Sequence, residues 1–151
     1  MIIGNKEEFA VQIENPKSER TKIALWINNL RIGNYIEEEY SKIVYNQLYR
    51  LTNLKIDKYT GDFNLISVDL LIRDEETIEN QIILSLGESF DDFCIRIMFA
   101  EQKIYFFWKL NDKPFGGYDA YDKKYKNRTF KKEISWFEYE LVLKEFIKSI
   151  S

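Results

Sequence analysis

The stretch from Phe93 to Leu110 constrains this chain more than any other. It reads Phe-Cys-Ile-Arg-Ile-Met-Phe-Ala-Glu-Gln-Lys-Ile-Tyr-Phe-Phe-Trp-Lys-Leu, two apolar runs joined at Ala100-Glu101-Gln102-Lys103. Side chains alternate across a strand, so Phe93, Ile95, Ile97 and Phe99 share one face, and Ile104, Phe106, Trp108 and Leu110 share a face of the next strand. A register that brings these two sets together makes a core wall. The opposite faces carry Cys94, Arg96 and Met98, then Tyr105, Phe107 and Lys109, a mixture suited to partial cover. The pattern predicts a hairpin at the centre of an antiparallel sheet.

The elements around it complete an α+β class: an antiparallel sheet with a central hairpin, two or three helices packed on it, and a C-terminal amphipathic helix. Phe9, Val11 and Ile13 alternate with polar or small residues, giving a strand that ends near Asn15-Pro16. Ile23–Ile27 and Leu30–Ile32 form a second hairpin, because Asn28-Asn29 tolerates the positive φ of a tight turn. Asn34 is placed to cap a helix with Glu37, Glu38 and Glu39 in its first turn, followed by Tyr40, Ile43, Val44, Leu48 and Leu51 on one face. Tyr59–Asp62 reads as a turn and Phe63–Ile72 as a strand, whereas residues 75–86 fit a helix or a strand equally. The stretch Lys113–Lys132, with seven basic and two acidic residues, reads as a long loop leading into an edge strand near Thr129–Ile134. Ser135 and Glu138 match the capping-box spacing, and Phe137, Leu141, Leu143, Phe146, Ile147 and Ile150 supply an apolar face behind it. The whole chain, 1–151, is expected to be one domain.

What the chain lacks narrows its chemistry. It contains no His and one Cys, so zinc sites and triads built on His or on a Cys/His pair are excluded. Any enzyme here would have to use carboxylates, Lys or Tyr. Cys94 cannot form an internal disulfide, and its place in the apolar hairpin predicts a buried thiol in a reducing, cytoplasmic setting. No stretch has the ~18 apolar residues of a membrane helix, and no basic region followed by an apolar run opens the chain. The net charge is −3, divided as 11 basic and 17 acidic residues up to Ala100 and 11 basic and 8 acidic after it.

Three constellations carry possible function. Asp92 with Glu101 and Lys103 resembles the acidic residue plus Glu-x-Lys of metal-dependent nucleases, although Glu101–Lys103 is also an ordinary polar hairpin turn. Basic residues interleaved with Tyr118, Tyr121, Tyr125 and Phe130 have the composition of a single-strand nucleic-acid surface, or of a solvated loop whose Lys residues blunt a sheet edge. Glu88, Asp91 and Asp92 form an acidic loop beside the central strand, placed to meet a basic partner or to keep the surface soluble.

The opening Met1-Ile-Ile-Gly-Asn-Lys-Glu-Glu-Phe-Ala10, with Trp26-Ile-Asn-Asn-Leu-Arg-Ile-Gly-Asn34, resembles bacterial immunity proteins of polymorphic toxin systems, particularly immunity protein family forty-two. Asn5, Asn29 and Asn34 stand where that family's pattern has Asp, Gly and Asp; Asn29 keeps the turn geometry and Asn34 the capping oxygen. The resemblance implies a small cytoplasmic α+β protein that binds a cognate toxin stoichiometrically and has no catalytic residue, cofactor or metal. The net charge of −3 opposes a nucleic-acid partner, and the lack of a long apolar stretch argues against a membrane one. Glu88, Asp91, Asp92, Tyr118 and Tyr121 are the expected partner-binding residues, the tyrosines because Tyr is enriched in interface hot spots.

Overall fold

Asn28 and Asn29 adopt φ of 57° and 60°, the left-handed pair a two-residue type I′ turn requires. The turn joins β4 (Ile23–Ile27) to β5 (Leu30–Ile32), pairing Leu25 with Ile32 and Ile27 with Leu30. With β1 (Ile2–Asn5) and β2 (Phe9–Ile13) these strands make an antiparallel sheet in the order β1-β2-β4-β5. The computed structural model describes residues 1–53, 82–100, 102–115 and 117–151. The turn and strand expected within 59–72, and most of the ambiguous stretch 75–86, lie outside the described residues.

The second sheet is built on the predicted hairpin. β7 (Ile82–Ile83), β8 (Phe93–Ala100), β9 (Lys103–Leu110) and β10 (Thr129–Ser135) lie in the order β10-β9-β8-β7, which makes β8 and β9 central and β10 an edge. The register pairs Phe93 with Leu110, Ile95 with Trp108, Ile97 with Phe106 and Phe99 with Ile104. Both apolar sets therefore face one core. On the other face Met98 and Phe107 are fully buried, while Cys94 is half-buried rather than enclosed.

Phe9 of the first sheet lies 5.8 Å from Phe106 of the second and 5.0 Å from Tyr139, ring centre to ring centre. Tyr139 belongs to α2 (Trp136–Ile150), whose N-cap Ser135 accepts a hydrogen bond from the Glu138 amide at 3.2 Å, as the capping pattern predicts. The Tyr139 hydroxyl donates to the Leu48 carbonyl of α1 (Ser41–Asn53) at 2.6 Å, joining the two helices. Both sheets and both helices thus meet at one aromatic cluster.

Two helix expectations are corrected. Glu39–Tyr40 form β6, paired with β3 (Arg20–Thr21), so α1 starts at Ser41 and Glu37–Glu39 precede it. Asn34 instead closes a local turn, its Oδ1 accepting from the Ile36 amide at 2.8 Å. On α2 the buried set is Trp136, Tyr139, Val142, Leu143, Phe146 and Ile150, and Phe137 and Leu141 are exposed. The helix turns Trp136 and Tyr139 inward because Phe99 stacks on Trp136 at 5.3 Å, and that rotation leaves Phe137 in solvent.

Trp108 is fully buried, as its place in the apolar set of the hairpin predicts. Its ring stacks on Phe130 of β10 at 5.4 Å, and its indole N–H donates to the Tyr125 hydroxyl at 3.2 Å. Phe99 and Phe106, nearer the hairpin turn, meet α2, whereas Trp108, at the strands' other end, meets the loop between β9 and β10.

Candidate interaction surface

Asp92 organises that loop. Its side chain is buried, 3% exposed, just ahead of β8; Oδ1 accepts from the Phe115 amide and Oδ2 from the Tyr121 hydroxyl, each at 2.6 Å. Its carbonyl accepts from the Asn111 amide at 2.8 Å. Both carboxylate oxygens are thereby satisfied, which burial of such a group demands. Phe93 packs edge-on against Tyr121 and Tyr125, each at 5.1 Å. Burial, then the hydrogen bond and negative charge of Asp92, push the Tyr121 hydroxyl far above the usual tyrosine range, with Arg31 opposing.

Arg31 on β5 fastens the loop from the other sheet. Its Nη2 donates to the Ala120 carbonyl at 2.8 Å and its Nε to the Gly33 carbonyl at 3.2 Å. The stretch after β5 is tied down as well: the Asn34 amide donates to the Ser89 carbonyl at 2.8 Å, and the Ser89 amide donates to Glu39 Oε1 at 2.6 Å. Glu39 lies so close over Gly87 (φ 128°) that a Cβ there would overlap its carboxylate. The loop is therefore pre-positioned by Asp92, next to β8, and by Arg31 of β5, and the 34–39 segment by its bonds to Ser89 and the β3–β6 pairing.

Between them opens a cleft of about 310 Å³ lined by Asn34, Ile36, Glu37, Glu88, Asp91, Asp92 and Phe115. Glu37, Glu88 and Asp91 are exposed. Phe115 is 94% exposed and Ile36 60%, an unusual cost to leave in water for side chains of that size. The cleft thus combines negative charge with apolar contact area.

The five residues expected to bind a partner divide into two groups. Glu88, Asp91 and the partly exposed Tyr118 stand at the surface, Tyr118 donating its hydroxyl to the Asp112 carbonyl. Asp92 and Tyr121 are buried and bonded to each other, so in this structure they hold the loop and expose little of themselves. Ile36, Glu37 and Phe115 were not expected. Two isolated apolar residues in otherwise polar segments were the available sign, and nothing in the sequence brings residue 36 beside 115.

The other constellations come apart. Asp92 lies before the start of β8, whereas Lys103 pairs with Ala100 at the hairpin's far end, roughly 25 Å along a strand rising ~3.3 Å per residue. Lys103 bonds Glu133 at 3.1 Å, holding that carboxyl below its usual range; Glu101 lies outside the described residues. No group of three or more Cys, Asp or Glu suited to a metal ion occurs among the described residues. Of the four rings interleaved with the basic residues, Tyr121 and Tyr125 are buried, Phe130 is packed on Trp108, and Tyr118 is exposed. A row of stacking rings for bases is not formed. No helix among the described residues is long and apolar enough to cross a membrane.

No family model and no curated protein sequence matches the chain. Its fold is similar to the crystal structure of CdiI from Burkholderia dolosa AUO158, with a TM-score of 0.62 and 11% sequence identity over 98% of this chain and 99% of that one.

Proposed function

We propose that this protein is a cytoplasmic immunity protein, which binds a cognate bacterial toxin domain and neutralises it by stoichiometric occupation of the toxin's surface, with no chemistry of its own. The observation that carries this reading is the fold shared with CdiI along nearly the full length of both chains. CdiI is a contact-dependent inhibition immunity protein, and such proteins bind toxins and act as inhibitors rather than enzymes. The immunity-like motifs at Met1–Ala10 and Trp26–Asn34 support the same reading.

The toxin-facing surface is the acidic cleft. Glu37, Glu88 and Asp91 steer a basic partner, and Phe115 and Ile36 provide the apolar area that is removed from water on docking. A stable interface buries about 800 Å² on each partner, so the cleft is its centre and Tyr118 part of its rim. The bonds from Asp92 and Arg31 hold Phe115 and Ala120 in place before the encounter, which reduces the ordering cost of binding.

Co-expression tests the reading. A toxin domain from the neighbouring reading frame is expressed in bacteria with and without this protein. Growth is expected to stop with the toxin domain alone and to resume with the pair. Growth that stays arrested in the presence of folded protein contradicts the proposal.

A further inference from the structure

On the far side of the Asp92–Tyr121 hydrogen bond lies a second concavity of about 280 Å³, lined by Trp26, Asn29, Arg31, Ala120, Tyr121 and Asp122. It joins the β4–β5 hairpin to the loop, and Tyr121 separates it from the acidic cleft. Trp, Tyr and Arg are the residue types that dominate interface hot spots. Tyr121 was among the expected partner-binding residues, and Trp26, Asn29 and Arg31 lie in the stretch that carries the resemblance.

Its polar groups favour an anion. The hydrogen bonds of Arg31 use Nε and Nη2 and leave Nη1 without one among the described residues. The Asn29 amide donates from its backbone to the Lys6 carbonyl at 2.8 Å, while its side chain makes no bond among the described residues. Lys6 Nζ sits 3.7 Å over the Trp26 ring, adding a second cation at the rim. Asp122 is the opposing charge, and its Oδ1 is occupied by the Lys124 amide at 2.9 Å. Arg31 and Lys6 face the exposed Asp122 and the buried Asp92 behind Tyr121, whose oxygens are already taken by Tyr121 and the Phe115 amide, so the amide and guanidinium donors suit a carboxylate whose aliphatic stem lies on Trp26 and Ala120.

We propose that this lobe receives an acidic side chain, Asp or Glu, of the toxin, so that the partner presents basic residues to the 36–115 cleft and a carboxylate to Arg31 and Asn29. The inference rests on the immunity reading and deepens it. A surface with both signs in fixed positions on either side of Tyr121 discriminates among basic toxins, because a partner with a second cation at the Arg31 position meets like charge.

The test uses Asn29→Asp, which keeps a residue type tolerant of the left-handed turn, and Lys6→Glu on the rim. Calorimetric titration with a toxin domain from the neighbouring reading frame, at physiological salt, is expected to give a dissociation constant raised about tenfold or more for each variant, since each places a negative charge against the incoming carboxylate. Asn29→Gly, which retains the turn and deletes the amide, is expected to raise it by a few-fold, roughly the value of one hydrogen bond. Constants within about twofold of wild type for both charge variants, or tighter binding by either, overturn the inference and leave the immunity reading standing. Absence of any complex with the wild-type chain overturns both.

Discussion

The Tyr121 hydroxyl donates to Asp92 Oδ2 at 2.6 Å, joining two residues 29 positions apart in the chain. This bond, with that from the Phe115 amide to Oδ1, fixes the loop that carries the exposed Phe115. Tyr121→Phe leaves a buried carboxylate oxygen without its donor and is expected to cost ~1–3 kcal/mol, with Asp92→Ala costing more because it strands two donors. Urea unfolding measures both. An unchanged midpoint for Tyr121→Phe would mean that the bond does not hold the loop.

Trp108 sits where β9, β10 and the loop meet, stacked on Phe130 and bonded to Tyr125. Trp108→Ala is expected to cost ~3–5 kcal/mol, the range for a large aromatic deleted from a packed interior. Phe107→Ala, on the opposite buried face of the same strand, serves as the comparison. A Trp108→Ala protein that melts with the wild type would contradict the assignment of this face to the main core.

Alkaline pH should unfold the protein steeply. Burial raises the hydroxyls of Tyr121, Tyr125 and Tyr139 above the ordinary tyrosine value, so each stays protonated when folded and ionises near pH 10 when unfolded. The unfolded chain then holds fewer protons, and stability falls as pH rises. This contribution is fully present below about pH 10 and is lost above it, at a slope of about 1.4 kcal/mol per pH unit for each tyrosine. Melting temperature followed from pH 8 to 11 should be level at first and then drop; Tyr139→Phe should make the drop shallower. A level profile throughout would contradict the buried, protonated state.

The hairpin register, the Asn28-Asn29 turn, the edge position of β10 and the Ser135 cap were legible in the sequence, because each is set by alternation or by local backbone chemistry. The start of α1 was not. Glu39 is taken by a strand pairing and by the Ser89 amide, both long-range contacts that outweigh a helix dipole effect worth less than about 1 kcal/mol. The apolar face of α2 was misread at Phe137 and Leu141 because hydrophobicity alone does not show which side Trp136 and Tyr139 turn inward. For the surface, charge pointed to Glu88 and Asp91, but the burial of Asp92 depends on a tyrosine and an amide supplied from a distant loop. Ile36 and Phe115 line one cleft because the Asp92 bond holds residue 115 and the Asn34–Ser89 bond holds the segment that carries residue 36.

The acidic cleft should act mainly on encounter. Exposed charges attract over a distance screened to ~8 Å at physiological salt, so neutralising Glu37, Glu88 and Asp91 together should slow association with the toxin domain and flatten its salt dependence. Stability should change little, since all three are exposed. Stopped-flow rates at two salt concentrations provide the check. An unaltered rate and salt slope would remove the cleft from the interface without touching the immunity reading.

The most direct test titrates the purified protein against the activity of a toxin domain from the neighbouring reading frame. Stoichiometric inhibition predicts that activity falls linearly and vanishes at one equivalent when the toxin concentration exceeds the dissociation constant. It also predicts that the protein alone has no activity on the toxin's substrate. Undiminished toxin activity at several equivalents of folded protein would contradict the account.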